Sequence, residues 1–556
     1  MSIFALRSAV VTALLFPSFM YVSSAYAAGT CGDISNSGGH PPELTIAEAK
    51  SIPGNAEMPR SHCLIQGELA AHQGIDGRAY AIHFEMRLPD DWNGRFVHQF
   101  NGGNDGKVLA ATGPLLGGNK ADNALSRGYA VVSSDAGHDE AAFSDKGLAG
   151  SAAFGLDPVA RQDYGYSAVA KLNPLAMRLV EQYYGQKIAF RYGIGGSNGG
   201  RHALMAATRL PEQFDGLLVG YPGFNLPKAA LQHAWDVQSW AKVDQDIAKA
   251  FSPADMAVLA KGILSACDAL DGRVDGIVGN ADACQSRFNI ASLACKAEKQ
   301  PDCLRQDQIA ALRASHAGPR NSKGHALYSN WDWDPGMGSA NWRLWKLQSP
   351  VAAWGGKPII AVMGAGSLAQ IFTTPPVPVN GTPEDLQKFL LGFDFDRDAP
   401  KIFAKSGPFT ESAADFMIPP DSANPHLKAF KAAGHKMIVF HGNADPVFSV
   451  LDTVKWYRKL DSNNGRKAGD FVKFYRIPGM PHGAGGPSYD DFDFFTPLVA
   501  WVEKGAAPGP VSAGITKDNK EGAALTPGRY LYCPYPLVAD YDKAAAGSDS
   551  PHFKCR

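Results

Sequence analysis

Ser197, Asp445 and His482 are the residues of this 556-residue chain whose types and settings suit nucleophilic chemistry. Ser197 stands in Gly195-Gly196-Ser197-Asn198-Gly199, a G-x-S-x-G pattern with an apolar run (IAFRYGI) before it and a helix-compatible run (GRHALMAATRL) after it. A serine on so tight a strand-to-helix turn needs small neighbours, and its hydroxyl projects above the sheet. The helix start behind it favours developing negative charge. A hydroxyl is a weak nucleophile at neutral pH, so an imidazole must take its proton and later hand it to the leaving group. His482, in Pro478-Gly479-Met480-Pro481-His482-Gly483, lies directly beyond the apolar run Phe471–Ile477. Asp445, in His441-Gly442-Asn443-Ala444-Asp445-Pro446, lies directly beyond Lys436–Phe440, where a carboxylate would fix the imidazole tautomer. Singly, each has a plainer explanation: a turn-forming Asp before Pro, a loop His. Three residues in the order Ser, Asp, His, each at a strand end, point to one site.

An acyl-transfer centre also needs two backbone donors for the tetrahedral oxyanion. Asn198 N–H is one. Gly102 or Gly103, just past the strand-like run Arg95–Phe100, is the other, although Asn101-Gly102-Gly103-Asn104 also reads as a plain turn. Ser367, in Met363-Gly-Ala-Gly-Ser367-Leu-Ala, also follows an apolar strand-like run. It lacks the second glycine of the pattern and reads as a loop serine.

The elements that must position these groups alternate. Arg78–Leu88, Arg95–Phe100, Arg127–Ser134, Lys187–Ile194 and Gly216–Gly220 read as strands, with helices predicted at Ala168–Tyr184 and 200–210. Such alternation means a mostly parallel sheet covered by helices. Between about Phe224 and Asn424 the rhythm dissolves, and it returns with strands Lys436–Phe440 and Phe471–Ile477 and a helix at Phe492–Lys504. The organisation predicted is a signal segment at 1–27, a core at 28–223 and 425–556, and an inserted lid domain at 224–424, far longer than an ordinary loop.

Composition narrows the function classes. With 53 Lys+Arg against 54 Asp+Glu and 45% hydrophobic residues, the chain buries a large core and carries no basic excess for nucleic acid. Met1–Ala27 has one cation (Arg7), an apolar stretch from Ala9 to Val22 and the small-residue pattern Ala25-Tyr26-Ala27. It reads as a secretory signal, too short and Pro17-interrupted for a membrane span. The protein is expected in the periplasm or outside the cell, without a span once the signal is removed. Eight cysteines suit an oxidising compartment; with no C-x-x-C pair and no His at ligand spacing, disulfides are expected rather than zinc.

Asp268, Asp271 and Asp275, interleaved with Gly272 and Gly276, place hard oxygen ligands on a supple turn. They suit Ca²⁺ with backbone carbonyls added, or form a solvated acidic loop. Trp331, Trp333, Trp342 and Trp345 read either as core of the insertion or as walls of a pocket for an aromatic acyl group.

Several runs carry a family resemblance. Leu125-Ser-Arg-Gly-Tyr-Ala-Val-Val-Ser-Ser-Asp-Ala-Gly-His138, Gly196-Ser-Asn-Gly-Gly-Arg201, Pro211-Glu-Gln-Phe-Asp-Gly216, Cys267-Asp-Ala-Leu-Asp-Gly272, His441-Gly-Asn-Ala-Asp445 and Pro478-Gly-Met-Pro-His482 resemble, in order, the tannase and feruloyl esterase family. That family also holds a bacterial mono(hydroxyethyl) terephthalate hydrolase. The resemblance implies an α/β-hydrolase core with a lid, triad roles for Ser197, Asp445 and His482, and disulfides Cys31–Cys63, Cys267–Cys284, Cys295–Cys303 and Cys533–Cys555. It also implies structural calcium on the side chains of Asp268, Asp271 and Asp275 with the carbonyls of Arg273 and Ile277. One departure stands out: where the family places a disulfide beside serine and histidine, this chain has Gly196 and Gly483. A Gly196→Cys, Gly483→Cys variant is therefore expected to form that bridge. The expected function is a secreted serine esterase acting on small feruloyl-, galloyl- or terephthaloyl-type esters. A general short-chain carboxylesterase, or a catalytically silent binder of phenolics or glycans, stays open, as does the number of subunits.

Overall fold

Strands that are apolar on both faces must be covered on both faces, and the chain uses its apolar runs in this way. The computed structural model describes residues 30–36, 40–56, 58–118, 121–541 and 553–556, so the expected signal segment lies outside the described residues. One nine-stranded sheet contains β1 (Leu44–Ile52), β2 (His62–Gln73), β3 (Ala79–Pro89), β4 (Arg95–Phe100), β5 (Ala130–Ser134), β6 (Phe190–Gly196), β7 (Gly216–Gly220), β8 (Lys436–Gly442) and β9 (Val472–Ile477), in the order β1-β2-β3-β5-β4-β6-β7-β8-β9. Pairing is antiparallel from β1 to β5 and parallel from β5 through to β9. The predicted strands are present with bounds moved by a few residues, and β1 and β2 are additional.

Alternate side chains of the central strands feed two cores. Leu217 and Val219 of β7 pack with Val439, Phe474, Ala203 and Leu204, under helices α2 (Asn198–Arg209) and α5 (Val450–Asn463). Leu218 faces the other way with Ile194, Ile438, Leu498 and Trp501, under helix α6 (Phe495–Lys504). Helix α1 (Ala168–Tyr184) buries Leu172, Leu175, Ala176, Leu179 and Val180, an i, i+3, i+4 stripe, against β2, β3 and β5. It stops at Gly185, whose φ of 63° is the left-handed cap that glycine supplies.

β7 and β8 are neighbours in the sheet although more than 200 residues separate them in sequence. Between them no strand joins the sheet among the described residues; α3 (Leu226–Trp240), α4 (Ile359–Gly366) and other helices gather their own core around Trp240, Leu259, Leu312, Ile360 and Leu386. Phe143, Phe154 and Tyr164, which precede β6, join that core. The insertion thus packs on residues 140–164 as well as on itself. All four implied disulfides are present: Cys31–Cys63, Cys267–Cys284, Cys295–Cys303 and Cys533–Cys555. No helix among the described residues is long and apolar enough to cross a membrane.

Arg161 ties these parts together. It is 1% exposed and its hydrogen bonds go to the Gly155, Gln370 and Thr373 carbonyls and to Thr374 Oγ1, at 2.6–3.0 Å. Its guanidinium lies over the rings of Phe409 and Phe416, and burial pulls its pKa down to about 9. Arg161→Ala is expected to leave three buried carbonyls without these donors and to lower stability by about 3 kcal/mol, read as a clear drop in melting temperature. An unchanged melting temperature would show that the insertion is anchored elsewhere.

Candidate active site

β6 runs into α2 with no loop between them, and Ser197 takes the turn at φ 63°, ψ −125°, a conformation that strains any residue with a Cβ by about 1–3 kcal/mol. Its N–H donates to the Gly220 carbonyl at 3.0 Å, and its carbonyl accepts from Gly223 N–H at 3.1 Å. The pattern glycines are required by contact: a Cβ at 195 would overlap the Gly199 carbonyl, and one at 199 would overlap the Phe100 carbonyl at the end of β4.

The three predicted side chains meet. Ser197 Oγ is 2.8 Å from His482 Nε2, and His482 Nδ1 is 2.8 Å from Asp445 Oδ2. A carboxylate on Nδ1 holds the proton there and leaves the Nε2 lone pair facing the hydroxyl. Asp445 Oδ1 accepts from the N–H groups of Val447 (2.7 Å) and Phe448 (3.0 Å), while His441 Nε2 stands 3.3 Å from Oδ2. Burial works against ionising Asp445, but the facing His482 and the His441 and His482 hydrogen bonds outweigh it, holding the carboxyl well below the usual range.

The imidazole is boxed in. Tyr221, Trp345 and Phe448 present rings at 5.0, 5.1 and 5.5 Å, each at 70–74° to its plane, and Asn341 Nδ2 donates to the His482 carbonyl at 3.0 Å. Edge-to-face contacts of this kind are worth about 0.5–1.5 kcal/mol each. Ser197 and His482 open on a cavity of about 1040 Å³ walled by Phe100, Trp345, Phe372 and Phe448 among others. Its charged lining residues are Lys107 and Glu140, which pair with each other. Gly102, Gly103 and Asn198 line it too. Asn198 begins α2, so its N–H has no acceptor within the helix, and a Cβ on Gly102 would lie 3.7 Å from Ser197 Cβ.

Of the four tryptophans, Trp345 lines the cavity, while Trp333 and Trp342 are core. Ser367 needs correction. The run before it is helix α4, not a strand, and Ser367 itself begins a π-helical turn, donating to Asn104 Oδ1 at 3.0 Å from the cavity wall. Its spacing carried no sign of this. His233, whose two buried ring nitrogens lack hydrogen-bond partners, also lines the cavity and stood out from no motif.

The expected Gly196–Gly483 cysteine bridge also needs correction. A Cβ at 196 would overlap the Tyr221 phenol, and one at 483 would lie 4.0 Å from Tyr221 Oη, so this ring occupies the space between the two loops. Gly483 moreover has φ 93°, where a side chain is strained.

In the acidic turn, Asp268 accepts from Asp275 and Gly276 N–H at 3.1 Å, and Asp271 Oδ1 from Arg273 N–H at 3.2 Å. Asp271 Oδ2 and Asp275 Oδ2 are buried without hydrogen-bond partners, though Arg273 Nε lies 3.5 Å from the latter. Burial pushes Asp271 up to about 7, with Asp275 and Asp268 adding to it, and burial raises Asp275 as well. Among the described residues no three His, Cys, Asp or Glu side chains form a metal cluster by themselves. The two orphaned oxygens fit a hard cation provided that main-chain carbonyls, such as those of Arg273 and Ile277, complete the shell.

The chain is similar to known proteins over most of its length. A family model described as tannase and feruloyl esterase matches residues 63–556. The chain is 40% identical over 518 residues to the mono(2-hydroxyethyl) terephthalate hydrolase of Piscinibacter sakaiensis, covering 89% of this chain and 84% of that one. It is 28% identical over 502 residues to a probable feruloyl esterase of Arthroderma benhamiae, covering 87% and 84%. The crystal structure of feruloyl esterase B from Aspergillus oryzae shares the fold with a TM-score of 0.71 at 20% identity, over 94% of this chain and 99% of that one.

The Tyr221 packing yields a test. Oxidised Gly196→Cys, Gly483→Cys protein is expected to show two free thiols by mass spectrometry after alkylation. Adding Tyr221→Ala, which clears the space, is expected to lower the free-thiol count. A bridge formed with Tyr221 in place would refute the packing described.

Proposed function

The chain belongs to the tannase and feruloyl esterase family, and we propose that it is a secreted serine esterase cleaving aromatic carboxylic esters through an acyl-enzyme on Ser197. The observation that carries this reading is the continuous 2.8 Å, 2.8 Å relay from Ser197 Oγ through His482 to Asp445. As His482 Nε2 takes its proton, Ser197 Oγ forms a bond to the ester carbonyl carbon, and the carbonyl electrons move onto oxygen. That oxyanion is held by the Asn198 N–H and a donor from Gly102 or Gly103, each worth about 3 kcal/mol in the transition state. Collapse breaks the carbon–alkoxide bond, and the imidazolium protonates the departing alcohol. Water then repeats the sequence on the acyl-enzyme, releasing the acid and restoring the serine. Asp445, kept ionised, stabilises the imidazolium in both halves.

The aromatic walls support a flat acyl group stacked near Trp345 and Phe448, and the names of the relatives supply candidates: feruloyl and terephthaloyl monoesters. Galloyl esters are a third. Residues 224–424 act as a lid in this reading, since Trp345 and α4 wall the cavity from that segment. The signal-like segment at 1–27 and the four disulfides support export. Asp268, Asp271 and Asp275 would hold a structural Ca²⁺ with the Arg273 and Ile277 carbonyls, supplying charge to a turn that buries two carboxyl oxygens without hydrogen-bond partners.

Turnover of methyl ferulate, methyl gallate, mono(2-hydroxyethyl) terephthalate and p-nitrophenyl acetate tests the reading beside Ser197→Ala. At least one aromatic ester is expected to turn over, and Ser197→Ala to lose about 10⁴-fold or more in kcat. Hydrolysis of the nitrophenyl ester alone would favour a general carboxylesterase, and binding without turnover a silent homologue.

The calcium proposal has its own readout. Without a cation, Asp271 titrates near 7 in the folded chain and near its ordinary 3.8 when unfolded. The folded state then holds the extra proton, and stability falls as pH rises through that window. Ca²⁺ replaces the proton. After chelation, about 1 mM Ca²⁺ is expected to raise the melting temperature clearly at about pH 8 and much less at about pH 5. No shift at the higher pH would remove calcium from the account.

A further inference from the structure

The loop after β4 carries Gly102 and Gly103 and ends at Asp105, whose side chain is 1% exposed and whose φ of 55° lies where glycine is favoured. Asp105 Oδ2 accepts from Asn198 Nδ2 at 2.8 Å and stands 3.0 Å from His202 Nε2. Asn198 Oδ1 accepts in turn from Arg201 Nε at 2.6 Å. A guanidinium only donates, so this contact fixes which end of the amide faces Asp105. The remaining guanidinium nitrogens donate to the carbonyls of Gly165 and Tyr164. The Tyr164 hydroxyl then donates to the Gly103 carbonyl at 3.2 Å. The path leaves the glycine loop at Asp105, crosses the first turn of α2 and returns to the loop at Gly103. Asn198, Arg201 and Tyr164 on this path are at most 1% exposed.

We propose that Asp105 is a positioning residue of ester hydrolysis: by gripping Asn198 it holds the N–H of that residue and the Gly102-Gly103 backbone at the separation an oxyanion requires. The proposal rests on Ser197 being the nucleophile. Both donors lie just beyond the last β4–β6 pair, Phe100–Gly195, where the ladder no longer ties the two segments, so a side chain adds to the backbone contact in setting their spacing. The buried Asp105 side chain, on which Asn198 and His202 converge, does so with little freedom.

Asp105→Gly separates positioning from folding, because glycine suits the backbone at φ 55° while removing the carboxylate. Its kcat on p-nitrophenyl acetate is expected to fall about 10- to 100-fold with KM within about 3-fold. Inhibition by phenylboronic acid, which adds to a serine Oγ as a tetrahedral anion, is expected to weaken by about 10-fold. Asp105→Asn keeps an oxygen that accepts from Asn198 and is expected to restore most of the loss. Unchanged kcat in the glycine variant, unchanged boronate inhibition, or an asparagine variant as impaired as the glycine one would each overturn the proposal. Ser197→Ala measured alongside keeps the two levels apart. If it retains turnover, the nucleophile reading fails; if it is inactive and Asp105→Gly is not impaired, only the positioning role fails.

Discussion

Where Gly199 passes over the carbonyl of Phe100, nothing larger than a hydrogen fits between the two chains. β4 and β6 are paired in register from Arg95–Phe190 to Phe100–Gly195, so the end of one strand is driven against the start of the helix that leaves the other. This contact brings the first N–H of α2 and the glycines after β4 to the same edge of the cavity as Ser197. It also stabilises the left-handed backbone at the serine. For that turn to relax, the paired strands would have to part, and the strain is small beside the sheet that opposes it.

His482 and Asp445 arrive by a different route, from the ends of β9 and β8, which reach the same edge because both run parallel to β6. Their loops are then held from outside the sheet. Asp334 Oδ2 accepts from Gly479 N–H at 3.2 Å, Asn341 holds the His482 carbonyl, and Trp345 flanks its ring. All three belong to the long segment between β7 and β8. The sheet thus places Ser197, Asp445 and His482, and the insertion supplies the walls and part of the grip on the imidazole.

Much of this is readable from one sequence because the informative strands are buried on both faces. IAFRYGI, KMIVF and FVKFYRI can scarcely be anything but strands, and they are followed in turn by Ser197, Asp445 and His482. β1 and β2 escape notice for the opposite reason. LTIAEAKSI and HCLIQGELAAHQ are rich in Ala, Glu, Gln and Lys, and pairing of β2 along β3 and of β1 along β2 makes them extended. The glycines of Met363-Gly-Ala-Gly mislead in the same way, since packing of Gly364 beneath the His233 ring holds them in a helix that their propensity opposes. Tyr221 and Asp105 belong to no motif. Their roles come from contacts across the fold, at the ends of β7 and β4, which spacing along one chain does not encode.

Tyr221 also faces the cavity that Ser197 opens on. The same ring is a strut between two loops and part of the wall a bound ester would meet. A covalent cross-link in that place would leave the bore of the pocket free to drift while the histidine stayed fixed. With an aromatic ring there instead, any change that widens or narrows this side of the pocket also loosens or tightens the hold on the imidazole, so the bore of the cavity and the setting of His482 vary together.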